Sequence, residues 1–382
     1  MKIGILTQPL HNNYGGILQA YALQKVLINM GHESIVINRD IQKSNVFKKV
    51  KYFLISTVKY LLRYDALALK KYRESKIQKK YASFIGNNTS RFIEKHIIKT
   101  KAIYSTLELK KESKKGYHAF IVGSDQVWRP SMSPKIENYF FDFVKNKTQF
   151  IKISYAASFG VNQWQFTPYQ TKICQQLVKE FNAVSVRERS GVDLCKKYLK
   201  VDAKIVLDPT LLLPKEQYIE LTQIKNCENK AVIFSYILDK DPNKQDILKR
   251  IVKETNLSLS EILPDKNYEL ITNKNISNYV FQPVETWIEQ IARAKLIITD
   301  SFHGCAFSIL FNKNFIVVTN EVRGITRIES LLSIFNLTNR IVYKNSDIMK
   351  TLNKEINWKQ INEILNKERQ ESLSFLNQHL NI

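Results

Sequence analysis

LIITDSFHGCAFSILFNKNFIVV, residues 296–318, carries two apolar runs of β-like composition on either side of a polar insert, Thr299-Asp300-Ser301-Phe302-His303-Gly304. Residues 296–298 read as a short buried strand, 305–311 as the first turns of a buried helix and 315–318 as the next strand, with Gly304 permitting the turn between the first two. This is a βαβ unit, and it predicts a parallel α/β sheet. Ligands in open α/β sheets collect beyond the carboxyl ends of strands. Asp300, Ser301 and His303 are therefore expected there, beside helix N–H groups that favour an anion. A histidine at that point can bind phosphate or carboxylate or transfer a proton near neutral pH. Its structural alternative is a hydrogen-bonded side chain closing a turn.

Outward from this unit, the amino terminus repeats the pattern. Residues 2–6 (KIGIL) read as a strand and residues 7–16 as a polar loop closed by Gly15 and Gly16. Residues 17–30 form a helix by the spacing of Leu18, Tyr21, Ala22, Val26 and Leu27, and Gly31 ends it before a strand at 34–38. The opening is Rossmann-like but lacks GxGxxG. Its glycines let the backbone approach a ligand, and His11, Asn12, Asn13, Tyr14 and Gln19 are a polar set suited to sugar hydroxyls or phosphate. A strand at 119–122 ends in Gly123-Ser124-Asp125-Gln126-Val127-Trp128. There a sugar face could stack on Trp128 while Asp125 accepts a hydroxyl proton; the alternative is a helix N-cap by Ser124 or Asp125. The strand at 183–186 delivers Arg187, placed for a bidentate contact to carboxylate or phosphate, or else for an ion pair with Glu188. Residues 205–214 read as one more strand followed by a proline-bounded turn, which marks a domain boundary dividing the chain into residues 1–214 and 215–382. Arg323 and Arg327 follow the central stretch by one strand, so Arg323 is expected to share an anion site with His303. Residues 357–380 read as a long amphipathic helix of the second domain.

Composition narrows the function classes. The four cysteines, Cys174, Cys195, Cys227 and Cys305, have no CxxC spacing, which argues against a zinc site or a disulfide framework. No apolar run has the length of a membrane span, and residues 1–4 lead straight into a strand, so the expectation is a cytoplasmic protein. The net charge is +23, and residues 43–115 supply +15 of it, with 20 Lys and Arg against 5 Asp and Glu. Phe47, Val50, Leu54, Val58 and Leu61 recur there at helical spacing among lysines. This basic amphipathic helical insert suits an anionic membrane surface at the inner face of the cell membrane, or a helix that buries its apolar stripe in the protein. With no zinc-finger, RRM or KH signature, nucleic acid is not the expected partner.

KIGILTQPLHNNYGGILQAYAL, FIVGSDQVW, ISYAASFG, SVRERSG, VLDPTLLL, ITDSFHGCAFSI and RGITRIESLL, in this order, resemble the polysaccharide pyruvyl transferase family. The resemblance implies a GT-B-like α/β protein with two Rossmann-like domains facing a cleft, the first on the acceptor side and the second on the donor side. It implies phosphoenolpyruvate as co-substrate, no cofactor, and a pyruvate ketal formed on two hydroxyls of one sugar of a surface-polysaccharide precursor. The precursor can be carried on a lipid pyrophosphate. Donor-binding residues implied are Arg187 in SVRE, His303 in FHG and Arg323. Other members carry T-D-R-L-H-G where this chain has Ser301 and Phe302, so Arg327 is expected to replace the missing charge. His11, Asn13, Tyr14, Gly15, Gly16, Gln19, Ser124, Asp125 and Trp128 stand on the acceptor side. His303 is the expected general acid, with Asp125 or Asp300 taking the hydroxyl proton and no metal. The competing readings are a GT-B glycosyltransferase using a nucleotide sugar and a non-catalytic protein of basic membrane surfaces.

Overall fold

The computed structural model describes residues 1–41, 76–77, 79–144, 149–224, 231–239, 241–272, 274–319, 324–343 and 348–380. The strands form two parallel sheets. The first contains β1 (Lys2–Leu6), β2 (Glu33–Val36), β3 (Ala119–Val122), β4 (Ile151–Ala157), β5 (Ala183–Val186) and β6 (Lys204–Ile205), in the order β2-β1-β3-β4-β5-β6. The second contains β7 (Val232–Tyr236), β8 (Ser258–Glu261), β9 (Leu296–Thr299), β10 (Asn314–Val318) and β11 (Ile341–Val342), in the order β11-β10-β9-β7-β8. Strands such as AFIV in β3 and LIIT in β9 are apolar at consecutive positions and wholly buried, as helices on both faces of a parallel sheet require.

Each sheet has a point at which the strand order reverses. From β1 the chain runs through the helix Tyr14–Asn29 to β2 on one side, and later returns to β3 on the other. From β7 it runs through the helix Pro242–Thr255 to β8, then returns to β9. Such switch points open crevices at the carboxyl ends of strands. The helix Phe302–Leu310 follows β9, and all nine of its residues are buried. A helix apolar on every side must be covered on every side. One apolar cluster therefore runs through both halves, uniting Ile3, Tyr14 and Leu18 with Trp287, Phe302 and Phe307.

The terminal helix, Trp358–Leu380, is grouped with the second domain by sequence order but packs on the first sheet. Leu207 N donates to Ser372 Oγ at 2.9 Å, Arg369 Nε donates to Leu211 O at 2.8 Å, and the Phe375 and Tyr155 rings lie 6.3 Å apart. The expected amphipathic stripe from Phe47 to Leu61 lies outside the described residues. What is described of the basic insert forms short helices, Ala82–Ile85, Asn87–His96 and Thr106–Glu112. Among the described residues, no helix is long and apolar enough to cross a membrane.

Candidate active site between the two sheets

Arg187 leaves the carboxyl end of β5 as a fully buried side chain. Its Nη2 meets Asp125 Oδ1 at 2.9 Å and its Nη1 meets Asp208 Oδ2 at 2.9 Å, while Glu188 Oε2 lies 3.7 Å from Nε. The Phe302 ring, from the other half of the molecule, lies against the guanidinium, 4.2 Å from ring centroid to Cζ. Burying such charges is tolerable only where they pair closely and the remaining valences are filled. Here Asp208 Oδ1 accepts from Thr210 N and Oγ1, Oδ2 also accepts from Ser124 Oγ, and Glu188 Oε1 accepts from Ser158 Oγ and Phe159 N, while Arg187 Nε and Glu188 Oε2 face each other at 3.7 Å without a hydrogen bond.

His303 enters this cluster from the second half. It sits on the first turn of the Phe302–Leu310 helix, which Ser301 caps by accepting from Gly304 N at 3.4 Å. Its Nε2 lies 3.7 Å from Asp208 Oδ2. Its Nδ1 side packs on Gly15, where an added Cβ would run into the imidazole. Gly15 is thus a point of close approach between the halves. At Gly123 the reason is different: φ is +136°, and a Cβ would strike the Tyr155 carbonyl of the neighbouring strand β4. That leaves Asp125 at φ +65°, with its carboxylate turned to Arg187. Arg327, on the helix Thr326–Ile334, is buried beside the same charges.

The fields follow from this arrangement. Burial acts to raise the Asp208 carboxyl, but His303, Arg187 and the Thr210 N–H outweigh it and hold the group well below the usual carboxylate range. Asp125 is likewise lowered, because Arg187, His303 and Arg327 together overcome burial. Glu188 is raised, since burial there exceeds the opposing pull of Arg187. Arg327 is lowered to about 10 by burial and then by Arg187.

Several expected site residues are placed elsewhere. Trp128 is no sugar platform: it is fully buried, stacked on Phe140 at 5.0 Å, and donates to Tyr139 O. Its apolar ring is worth more in the core than in solvent. Tyr14 is buried at the junction of the halves, where its hydroxyl donates to Gln282 O and its ring stacks on Trp287. Gln19 is consumed by structure, donating to Thr7 Oγ1 and Gly16 O and accepting from Ser124 N. Ser124 in turn spends its hydroxyl on Ala156 O and Asp208. Asp300 does not orient His303. Its carboxylate accepts from Leu238 N at 2.6 Å and Asp239 N at 3.3 Å, and it pairs with Lys244 Nζ at 3.1 Å, binding β9 to the chain after β7. Arg187 is not an open anion fork, because both Nη atoms are engaged by carboxylates. His11 is exposed, 3.9 Å from Asp40, and Asn13 stands at the N-cap of the first helix without a side-chain cap bond. Gly16 follows in that helix. Arg323 lies outside the described residues.

The sequence reading gave Asp208 no role, named Glu188 only as the ion-pair alternative for Arg187, which the structure bears out in buried form, and noted Phe302 without a partner. Asp208 had a legible signal, an aspartate closing the apolar run IVLDP, equivalent in position to Asp125 and Asp300. Phe302 had none, since its partner is 115 residues away. A groove of about 720 Å³, lined by Lys110, Lys111, Lys114, Tyr117 and Phe143, lies apart from this cluster, before the amino ends of β3 and β4. Among the described residues, no group of three or more His, Cys, Asp or Glu side chains is arranged to hold a metal ion.

Two parallel sheets meeting at their switch points make this a GT-B-like α/β protein. The solved structures it resembles include a Listeria monocytogenes protein described as a UDP-N-acetylglucosamine 2-epimerase, with TM-score 0.54 and 9% identity over 100% of this chain and 97% of that one. The Neisseria meningitidis UDP-GlcNAc 2-epimerase bound to UDP-GlcNAc gives TM-score 0.52 and 10% identity over 100% and 99%. At such identities the likeness concerns the fold alone. The profile of the polysaccharide pyruvyl transferase family matches residues 13–322, which include Gly15, Asp125, Arg187, Asp208 and His303. The chain belongs to that family. No curated protein matches it.

Proposed function

We propose that this transferase moves a pyruvyl group from phosphoenolpyruvate to two hydroxyls of one sugar in a surface-polysaccharide precursor, forming a pyruvate ketal and releasing inorganic phosphate. The observation that carries the reading, beside family membership, is the meeting of His303 from one half with Gly15, Asp208 and the Arg187 cluster of the other. It gives one titratable imidazole a fixed place among buried charges at the junction of two switch points.

The chemistry assigns a role to each group. Protonated His303 delivers its proton to the methylene carbon of the enol, and C2 becomes electrophilic. The first sugar hydroxyl adds to C2, losing its proton to a basic acceptor. The second hydroxyl then displaces phosphate and gives up its proton to it, so two C–O bonds form at C2, the bond from C2 to the phosphate oxygen breaks, and phosphate leaves as hydrogen phosphate. Asp125, held 2.9 Å from Arg187 Nη2, is the carboxylate assigned to the acceptor hydroxyl. Its lowered pKa keeps it ionised, which suits accepting a hydroxyl hydrogen bond better than holding an abstracted proton. The bonds made by Asp300 assign it to structure instead. Arg187 contributes a fixed positive field and holds Asp125 and Asp208 apart. Arg327, buried near that cation, would be stabilised by a dianionic phosphate beside it. The shared α/β architecture keeps a nucleotide-sugar transferase as the comparison.

The test is ³¹P NMR of the protein with phosphoenolpyruvate and a panel of sugar acceptors, parallel samples receiving UDP-sugars. Acceptor-dependent release of inorganic phosphate, a pyruvyl mass increment on the sugar, and loss of both in His303→Gln are expected. Release of UDP with glycosyl transfer, and inert phosphoenolpyruvate, would replace this reading with the glycosyltransferase one.

A further inference from the structure

His303 Nε2 is sealed from solvent and has no hydrogen-bond partner among the described residues. The oxygen it faces, Asp208 Oδ2 at 3.7 Å, belongs to a carboxylate that cannot turn away. Thr210 N and Oγ1 hold Oδ1 at 3.1 and 2.8 Å, while Arg187 Nη1 and Ser124 Oγ hold Oδ2, each at 2.9 Å. Ser124 is itself fixed through its N–H on Gln19 Oε1, and Gln19 through Thr7 and Gly16. All of these anchors lie in the first half of the chain. The histidine lies in the second, with its other ring nitrogen toward Gly15. We propose that Asp208 is the positioning residue of His303, fixing the ring with the proton on Nε2 so that Nδ1 is the nitrogen left for proton transfer.

The physical basis is the preference of a neutral imidazole for the tautomer whose N–H points at an anionic oxygen, the other nitrogen becoming the base or, once protonated, the acid. A small closure of the 3.7 Å gap makes the bond, and it requires no movement of Asp208. Because the anchor and the histidine come from different halves, the working tautomer is set only where the halves meet. The assignment of His303 as the proton donor rests on the proposed reaction. The position of its proton does not.

The decisive experiment is ¹⁵N NMR of protein labelled at histidine, read above the protonation range of the ring. Six histidines are present, and His303→Gln identifies the signal. The wild type is expected to show His303 protonated at Nε2. Asp208→Asn is expected to shift it to a mixture or to the Nδ1–H form, and Ser124→Ala, which leaves the carboxylate, to keep Nε2–H. In phosphate release, Asp208→Asn should lower kcat by about 10²–10⁴-fold while KM for phosphoenolpyruvate changes little. A wild-type His303 protonated at Nδ1 overturns the proposal, and that result stands even if Asp208→Asn fails to fold. An unchanged tautomer in folded Asp208→Asn also overturns it. The tautomer is read without substrate, so absence of pyruvyl transfer by the wild type counts against the reaction and leaves the positioning claim to be decided by NMR.

Discussion

Arg187 is the residue on which the buried charges depend. Replacing it by methionine would leave Asp125, Asp208 and Glu188 facing one another without the cation they surround. Breaking a buried ion pair in this way costs about 3–5 kcal/mol, so Arg187→Met should lose that much in urea unfolding at pH 7. Arg187→Lys should recover little, because an ammonium cannot bridge two carboxylates as the planar fork does. Acid titration should separate the carboxylates by sign. Asp208 is depressed in the folded protein, so its stabilising contribution is complete above its unfolded value of about 3.9 and is lost as the pH falls through the folded value. The stability deficit of Asp208→Asn should therefore shrink on acidification below about pH 4. Glu188 is raised, so its favourable contribution belongs to low pH and is lost as the pH rises through the folded value. Glu188→Gln should accordingly gain on the wild type between about pH 4 and pH 7. Chemical denaturation at about pH 2, pH 4 and pH 7 checks both signs, the lower interval for Asp208→Asn and the upper for Glu188→Gln; equal slopes for the two variants would refute the field described here.

The helix Phe302–Leu310 turns an apolar sequence into a rigid mount for His303. Its residues are buried on every side, which leaves His303 no freedom beyond its own rotamer. Ser301 supplies no charge and caps this helix at 3.4 Å. Removing an N-cap hydroxyl costs about 0.5–2 kcal/mol. Ser301→Ala should fall in the lower part of that range, since the bond is long, and should move His303 enough to reduce turnover. Thermal unfolding and phosphate release on the same samples measure the two effects. The histidine and the strand before it were legible at 296–318, because strand periodicity is a local property; the cap was not, since Ser301 was read as a donor contact, and the helix begins at Phe302, so that Gly304 lies inside it rather than in a turn before residue 305. The direction of Asp300 was not legible either, because Leu238, Asp239 and Lys244 reach it from a different βα unit.

At the scale of the whole molecule, the two halves share one apolar cluster and a few specific contacts between them. Gly15 lies against His303, the Tyr14 hydroxyl donates to Gln282 O, Arg189 N donates to Ser330 Oγ, and the terminal helix returns to the first sheet. Gly15→Ala places a methyl group where the imidazole stands. Overpacking of this kind costs about 1–3 kcal/mol and would be relieved by parting the halves. The expected result is a lower melting temperature together with loss of turnover, and increased hydrogen exchange in both Tyr14–Asn29 and Phe302–Leu310. Exchange confined to the first helix would place the strain within the first half alone.

By itself the sequence determined the parallel α/β class, most of the strands and the strand-end positions of Asp125, Arg187 and His303, all of which follow from period and chain order; Gly15, read as closing a loop, instead lies in the first turn of the helix Tyr14–Asn29. Only the tertiary structure decided what each side chain faces. Trp128 and Tyr14 carried the composition of sugar-binding residues, yet the same large rings filled the core and the junction between the halves. Arg187 looked like an open fork, yet two carboxylates from other loops had taken it, and one of them, Asp208, also faces His303. A residue's type and its place on a strand are fixed by its neighbours in the chain. Its partner is fixed by neighbours in space, here 62, 21 and 115 residues away for the contacts of Arg187 with Asp125, Asp208 and Phe302.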